Sequence, residues 1–167
     1  LLKKYGQFDI ITFSNVFAHI EDLNSLIINT RKLMSDSSTL IIENHYLGSI
    51  LKKGQFDTFY HEHPRTYSLT SFREIAKKLN SNIFKYEYPS RYGGNIRVFI
   101  SRNNQSKQLI NENIDYLNLF IKMNLDMKKW IKLKRIELEK YFLKYGKLPA
   151  KAFPGRAVIL IKLLGLT

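Results

Sequence analysis

Short apolar runs and helical patterns alternate over the first half of the chain. Residues 8–13 and 39–43 are apolar and rich in β-branched side chains, which is typical of buried parallel strands. Between them, acidic residues 21–22 open a helix that is predicted to run through Met34, and a serine-rich turn over 35–38 follows. A strand, a helix and a strand at this spacing predict a right-handed crossover and a parallel sheet.

A long polar segment, residues 44–68, follows the second predicted strand. It is unusually rich in histidine, tyrosine and acidic residues, and connections of this length in compact domains are usually functional. A helix capped by Ser68 or Thr70 is then predicted to run through Leu79.

Two further strands are predicted over 82–88 and 95–101. The link between them, residues 89–94, is so short that the two strands must be antiparallel. The chain is therefore predicted to have an α/β fold, with a parallel sheet that ends in an antiparallel hairpin. This pattern resembles the second half of a class I, Rossmann-like, S-adenosylmethionine (SAM) methyltransferase sheet. The first half, with its opening strand and glycine-rich turn, is absent from the sequence.

The last third of the chain predicts a long helix followed by a new unit. The helix is amphipathic over 107–145, with basic residues mostly opposite its apolar side chains. Residues 148–164 then predict a strand (148–153), a turn and a helix, as at the beginning of another α/β domain. We therefore expect a catalytic half-domain, a connecting helix and the beginning of a C-terminal domain, over 1–104, 105–145 and 146–167 respectively.

Composition agrees with a globular protein. The 167 residues are 44% hydrophobic and 13% aromatic, which suits a packed core. No run of roughly 18 apolar residues is present, so no membrane span is predicted. The first residues lack the apolar core of a targeting signal, which favours the cytoplasm. The chain begins at Leu1 without an initiator methionine and ends in an apolar segment, so we expect a piece of a longer protein, incomplete at both ends.

The formal net charge of +13 has three interpretations. These are a solvated basic face, a phosphate-bearing small-molecule partner and a nucleic acid, since a positive surface concentrates anions. No nucleic-acid motif or basic-aromatic platform is present, so we do not expect a nucleic-acid partner. There is no cysteine, which excludes disulfides and thiolate metal sites within the chain.

The richest chemistry lies in the Tyr-His-Glu-His sequence of residues 60–63. In an extended loop His61 and His63 face one side, while Tyr60 and Glu62 face the other. An imidazole can take a proton at neutral pH, a carboxylate can stabilise the imidazolium, and a phenol can donate to a developing oxyanion. That set suits removal of a proton beside a carbonyl. Two other interpretations stay open: residues that only pin the loop, and a metal site, for which two histidines without a third defined ligand are weak evidence.

Polar residues also follow the two parallel strands at their carboxyl ends, where open α/β sheets bind ligands. Asn15 and His19 follow the first strand, and Glu43 ends the second. Each could equally be an ordinary capping or loop residue. Arg97 lies between apolar residues on the last predicted strand, and we expect it to point to solvent or to a partner.

Taken together, these residues resemble the SAM-dependent C-methyltransferases of deoxysugar biosynthesis, which act on nucleotide-linked 4-keto sugars. The specific part is the Tyr-His-Glu-His element with the Phe-Asp-Thr sequence before it, whereas an element such as Gly-Gly-x-x-Arg is weak alone. The matching elements keep their order and spacing over almost the whole chain, at 15–20, 42–43, 56–63, 67–69, 93–98 and 154–156.

The resemblance implies a mechanism and an architecture. His63 would be the base that removes the proton at C3, with Tyr60 and Glu62 beside the substrate. The resulting enolate, delocalised into the C4 ketone, would attack the methyl group of SAM. The family has an N-terminal zinc-binding module, a central cofactor domain and a C-terminal domain that helps to bind the sugar nucleotide. Structural zinc is expected only in that N-terminal module, and no metal is expected in this chain.

The remaining site residues are expected to bind ligands. We expect Asn15 and His19 to bind the cofactor SAM, and the nucleotide-sugar substrate to be bound by Glu43, Arg97 and Arg156.

The chain also departs from the family. Tyr92 stands where histidine is usual, Asn95 stands where serine is usual, and Ala152 and Phe153 provide less glycine than the C-terminal turn usually carries. We do not expect the chain to methylate anything by itself. Two alternatives stay open: a class I methyltransferase of another small molecule, and a non-catalytic basic binding remnant.

Overall fold

The computed structural model describes residues 1–104, 112–147, 149 and 155–166. Within it the chain divides into two compact units. The first unit comprises Leu1–Ile50 and Glu62–Ile114, and the second comprises Leu51–His61 and Asp115–Thr167.

A four-stranded sheet forms the centre of the first unit. Its strands are β1 (Phe8–Ser14), β2 (Met34–His45), β3 (Asn82–Glu87) and β4 (Asn95–Ser101), in the spatial order β1-β2-β4-β3. β1 and β2 are parallel, while β4 is antiparallel to both β2 and β3. The predicted parallel pair and the predicted antiparallel hairpin are both confirmed. Because β4 is antiparallel to β2, its first residues lie at the same end of the sheet as the carboxyl ends of β1 and β2.

Four α-helices precede β3 in the sequence. They are α1 (Leu2–Tyr5), α2 (Leu23–Leu33), α3 (Leu47–Lys52) and α4 (Leu69–Lys78). The helix expected to open at the acidic pair is α2, and Asp22 is its N-cap: the carboxylate accepts a hydrogen bond from the Ser25 N–H at 3.0 Å. The side chain thus satisfies one of the backbone donors left unpaired at a helix start.

The core of the first unit lies on one face of its sheet. Alternate residues of β2 and β4 point into it, and α2 and α4 supply the opposing side chains. Full burial of an aliphatic or aromatic side chain contributes about 1.5–3 kcal/mol, so this face is the main source of stability in the unit. The core members include Leu40, Ile42, Ile96, Val98 and Ile100 from the strands, with Ile27, Phe72, Ile75 and Ala76 from the helices.

The turn predicted over 35–38 is wrong, because β2 begins at Met34 and continues through these serines. The Ser38 hydroxyl donates to the Phe8 carbonyl, and the Ser35 N–H donates to the Ser38 hydroxyl oxygen at 2.8 Å. The register between β1 and β2 shifts at this point. Serine hydroxyls therefore bridge an irregular stretch of strand, and the same residue types suggest a turn when only the sequence is considered.

β1 was predicted to be a buried strand, but it lies at an edge of the sheet. Ile11 and Phe13 pack against the core, while Ile10 is 63% exposed on the other side of the strand. Among the described residues, β2 is the only strand that pairs with β1. The apolar run therefore overstated the burial of this strand, because its outer edge and one of its faces are uncovered in the described structure.

The segment 44–68 is not simply a loop. Its first residues finish β2, and α3 and a short 3₁₀ helix at Phe56–Thr58 follow. The helix expected at Ser68 is confirmed as α4: the Ser68 hydroxyl oxygen accepts from the Ser71 N–H at 3.0 Å, and the Ser71 hydroxyl oxygen accepts from the Ser68 N–H at 2.8 Å. This reciprocal pair is a capping box.

The second unit is helical. Its elements are the 3₁₀ helix at Phe56–Thr58, α5 (Tyr116–Tyr145) and α6 (Ala157–Leu164). The Phe56 and Trp130 rings lie 5.4 Å apart between centroids, and Arg135 donates to the carbonyls of Leu163 and Leu164 at 3.0 and 3.1 Å. These contacts hold the two helices and the 3₁₀ turn together, because the aromatic pair packs α5 on the turn and the guanidinium satisfies carbonyls at the end of α6.

The predicted long helix begins later than expected. α5 begins at Tyr116 rather than at residue 107, because the Asp115 carboxylate accepts from the Asn118 N–H at 3.0 Å and caps the helix. The helix predicted over 157–164 is confirmed. Residues 105–111 and the strand predicted over 148–153, apart from Pro149, lie outside the described ranges. No helix in the described part of the chain is both long and apolar enough to cross a bilayer.

Removing the hydroxyl of Ser68 should weaken the first unit. Ser68→Ala leaves an N–H at the start of α4 without its acceptor and breaks the reciprocal pair, so we expect a loss of about 1 kcal/mol in the free energy of unfolding. Urea denaturation followed by circular dichroism measures it. Ser90→Ala is the control, because Ser90 precedes a 3₁₀ turn without a side-chain cap. Equal stability of Ser68→Ala and the wild type would contradict the capping role.

Candidate functional site

A buried carboxylate lies at the carboxyl end of β2. Glu43 is 4% exposed, and Arg97 lies directly opposite it on β4. The Arg97 Nε and Nη2 atoms donate to Glu43 Oε2 at 2.8 and 2.6 Å, and Arg97 Nη1 donates to Glu87 Oε2 on β3 at 3.2 Å. Arg97 was expected to point to solvent or a partner, but it instead joins two acidic residues across three strands. Burial of Glu43 without such partners would be strongly unfavourable.

Two asparagines extend this network to β1. Asn95 Nδ2 donates to Glu43 Oε1 at 2.9 Å and to Asn15 Oδ1 at 3.2 Å. Asn15 follows β1 with a φ of 54°, a left-handed conformation that asparagine tolerates, and its N–H donates to the Glu43 carbonyl at 2.7 Å. Asn95 is 1% exposed, yet its Oδ1 accepts no hydrogen bond from the described residues. Buried acceptors normally have a partner, so Asn95 Oδ1 is an exception within the described structure.

The network keeps Glu43 ionised. Burial alone raises the pKa of the Glu43 carboxyl group. Hydrogen bonds from Asn95 and Arg97, together with the charges of Arg97 and Arg91, more than offset burial and leave this pKa below its ordinary value. The same contact raises the pKa of Arg97 further above its ordinary value, chiefly through its hydrogen bonds to Glu43. This end of the sheet therefore carries the negative charge of Glu43, which the positive charge of Arg97 offsets.

Three imidazoles lie together at the same edge. The centroid of the His63 ring lies 4.7 Å from that of His19 and 5.6 Å from that of His45, with edge-on geometry in both pairs. His19 ends the 3₁₀ helix that follows β1, and His45 ends β2 opposite Asn95 in the register. The structure therefore brings the predicted base His63 to the strand ends that carry Asn15 and Glu43.

Two side chains fix the loop that carries His63. Arg65 donates through Nη1 to the Ile20 carbonyl and through Nη2 to the Glu21 carbonyl at 2.8 Å. The Tyr67 hydroxyl donates to the Phe17 carbonyl at 3.1 Å, and burial raises the pKa of Tyr67 to about 12, so the phenol stays a donor. These bonds tie the segment after His63 to the segment around His19, and this explains why the two imidazoles meet.

The other predicted site residues divide between the two units. Glu62 is exposed and belongs to the first unit with His63. Tyr60 belongs to the second unit, where its ring lies 5.7 Å from that of His61. Arg156 also belongs to the second unit, and its Nη2 contacts Asp57 Oδ1 at 2.8 Å and Thr58 Oγ1 at 3.0 Å. The Phe-Asp-Thr sequence therefore binds the arginine that immediately precedes α6.

The structure adds residues to the site that the sequence did not single out. His45 could have been found, because it lies two residues after Glu43 and alternation places both on one face of the strand. Asn95 and Tyr92 were noted only as departures from the resembled family. Arg65 carried no signal, because its role depends on two carbonyls that lie more than forty residues earlier.

A metal site is not formed by the side chains described. In the described ranges, no three histidine, aspartate or glutamate side chains are arranged to hold a metal ion. The three imidazoles meet through ring edges instead. Their geometry suits proton transfer and hydrogen bonding to a ligand.

Proteins with an open α/β sheet usually bind ligands at the carboxyl ends of the parallel strands, and the polar groups described above lie there. No protein-family model matches the chain. The chain is 28% identical over 96 residues to the C-methyltransferase NovU of Streptomyces niveus, a match that covers 58% of this chain. The match spans only 23% of the length of NovU. The chain is thus distantly similar to a methyltransferase over part of its length.

Removing the charge of Glu43 should destabilise the first unit. Glu43→Gln weakens the hydrogen bonds from Arg97 in a buried setting, so we expect a loss of about 2 kcal/mol in the free energy of unfolding at pH 7. Since the pKa of Glu43 is lowered from 4.5, its stabilisation is complete above that pH and is lost as the pH falls through the lowered pKa. Glu43→Gln should therefore lose less stability than the wild type on acidification.

The matched control for this experiment is Glu74→Gln. Glu74 forms an exposed ion pair with Lys77 at 2.8 Å, and exposed pairs contribute little. Denaturation curves at pH 7 and below pH 4.5 give both comparisons. A Glu43→Gln protein as stable as Glu74→Gln at pH 7 would show that the buried pair does not stabilise the sheet.

Proposed function

We propose that this chain is part of a SAM-dependent C-methyltransferase that acts on a nucleotide-linked 4-keto deoxysugar. The observation that carries the proposal is the position of His63, whose ring lies beside His19 and His45 at the carboxyl edge of the parallel strands. The partial similarity to the C-methyltransferase NovU supports transfer of a methyl group to carbon. The sheet, parallel at first and closed by an antiparallel hairpin, supports a class I methyltransferase fold.

His63 acts in this proposal as the base that takes the proton from C3 of the sugar. A carbon beside a ketone can lose a proton because the resulting enolate is delocalised into the carbonyl. The transfer is fast only if a base is positioned close to that proton. His63 is half-buried, which limits the access of water, and its loop is fixed by Arg65 and Tyr67. Glu62 and Tyr60 are proposed to lie beside the substrate, as carboxylate and hydroxyl partners.

The groups at the edge of the sheet fit the proposed ligands. Both SAM and a sugar offer hydroxyl or amino groups, which pair with the few polar side chains that a binding site presents. Asn15 and His19 would bind SAM, and Glu43, Arg97 and Arg156 would serve the sugar nucleotide, with Glu43 and Arg97 acting mainly by holding the edge rigid. When bound, SAM supplies an electrophilic methyl group to the nucleophilic carbon.

The proposed domain division follows from the same resemblance. Residues 1–104 would be the second half of the cofactor domain, 105–145 a connecting segment and 146–167 the beginning of a C-terminal domain that binds the sugar nucleotide. The basic charge of the chain suits a diphosphate-bearing partner.

The proposal is tested with the protein at its natural length. A nucleotide-linked 4-keto-6-deoxyhexose is incubated in D₂O without SAM, and exchange at C3 is followed by NMR. His63→Asn should lower the exchange rate by about 10²-fold or more, since general base catalysis contributes that much. With SAM added, mass spectrometry should show one methyl group on carbon.

His61→Asn is the matched control, because this histidine belongs to the same sequence element but is exposed. It should keep most of the exchange activity. A methyl group on oxygen or nitrogen would favour a methyltransferase of another substrate. Equal exchange rates for His63→Asn and the wild type would remove the proposed base.

A further inference from the structure

The turn between β3 and β4 holds a tyrosine in an unfavourable backbone conformation. Tyr92 has φ 52° and ψ 30°, in the left-handed region, where the Cβ atom of an L-residue is crowded by its own backbone. Gly93 and Gly94 follow with φ values of 85° and 128°. A glycine would adopt the conformation of Tyr92 without this crowding. The turn therefore keeps a large side chain at a position that the backbone would favour for glycine.

Comparison within the molecule makes Tyr92 the exception. Of the non-glycine residues with positive φ in the described structure, the others are Asn15 and Asn80. Asparagine tolerates the left-handed region because its short polar side chain bonds locally, whereas a bulky aromatic residue there is an outlier. Such outliers concentrate at ligand sites, where the role of the side chain in function offsets the cost of its backbone conformation.

The Tyr92 ring stands at the candidate site. Its centroid lies 6.0 Å from that of His45, edge-on, and His45 in turn contacts His63. The Arg91 guanidinium carbon lies 5.5 Å from the centre of the Tyr92 ring, and Arg91 Nη1 lies 3.8 Å from Glu43 Oε1. The Tyr92 residue is nevertheless 59% exposed. Burial in the core therefore does not account for the ring, and its position one imidazole away from His63 points to a ligand.

We propose that Tyr92 is a substrate-contacting residue whose ring forms the wall of the candidate site on the His45 side. The inference rests on the proposed function, and it adds the surface against which the sugar ring of the substrate packs. Binding sites combine aromatic walls with a few polar groups that fix orientation, and here Tyr92 supplies the wall while His63 supplies the reactive group. The contact also holds the Arg91 guanidinium close to the Glu43 carboxylate.

Tyr92→Asn removes the aromatic ring while keeping a residue type that adopts the same backbone conformation. Asparagine tolerates the left-handed region, so we expect the melting temperature to stay equal or to rise by up to about 3 °C. Loss of the aromatic contact should weaken binding of the nucleotide-linked 4-keto-6-deoxyhexose by about 3- to 10-fold, measured by calorimetry, and raise KM more than it lowers kcat. Tyr92→Phe, which keeps the ring, should lose less affinity than Tyr92→Asn.

Asn80→Gly is the matched control. It changes another left-handed residue, at the end of α4, and should leave substrate affinity unchanged. A fall in the melting temperature of Tyr92→Asn by more than about 5 °C would assign the ring a structural role and overturn the inference. Unchanged affinity of Tyr92→Asn would overturn it as well, while the wild-type exchange at C3 upholds the proposed function. A wild-type protein that neither binds nor exchanges this sugar overturns both.

Discussion

The candidate site depends on one ion pair, between the buried Glu43 carboxylate and the half-buried Arg97 guanidinium. A carboxylate excluded from water is stable only if it is paired and hydrogen-bonded, so the residues around it must keep their positions. Asn95 donates hydrogen bonds to Glu43 and Asn15, and Arg97 donates to Glu43, so the ends of β1, β2 and β4 are joined to one another. This is the end of the sheet where α/β proteins bind ligands. The ion pair thus gives the carboxyl ends of the strands a polar surface with fixed side-chain positions.

The imidazole cluster is built on this fixed surface from loops, not from strands alone. His45 belongs to β2, whereas His19 ends a short 3₁₀ helix and His63 lies in a loop. Arg65 and Tyr67 supply the missing constraint, because both side chains donate to backbone carbonyls of the segment around His19. Rigid strands and hydrogen-bonded loops together explain how these distant residues meet.

The strand pattern predicted most of the sheet, and the exceptions have physical causes. The hairpin and α4 could be predicted from apolar alternation, a short link and the Ser68 cap, all of which act locally. The extra length of β2 could not, because serines that usually mark a turn are here paired across a bulge. Within the site, Asn15, His19, Glu43 and His63 were predicted from their places after strands or in a chemically rich loop. Asn95 and Arg65 were not, because their partners are remote in the sequence.

The sequence by itself determined which segments become strands and helices, and which residues can carry acid–base chemistry, since these depend on side-chain type and spacing over a few residues. Only the tertiary structure decided that Arg97 turns to Glu43 and Glu87, that the His63 ring lies beside those of His19 and His45, and that Tyr92, on a left-handed backbone, lies edge-on to His45. The reason is that hydrogen bonds and ring contacts between distant segments are set by how the sheet and its loops pack, and no local pattern encodes them.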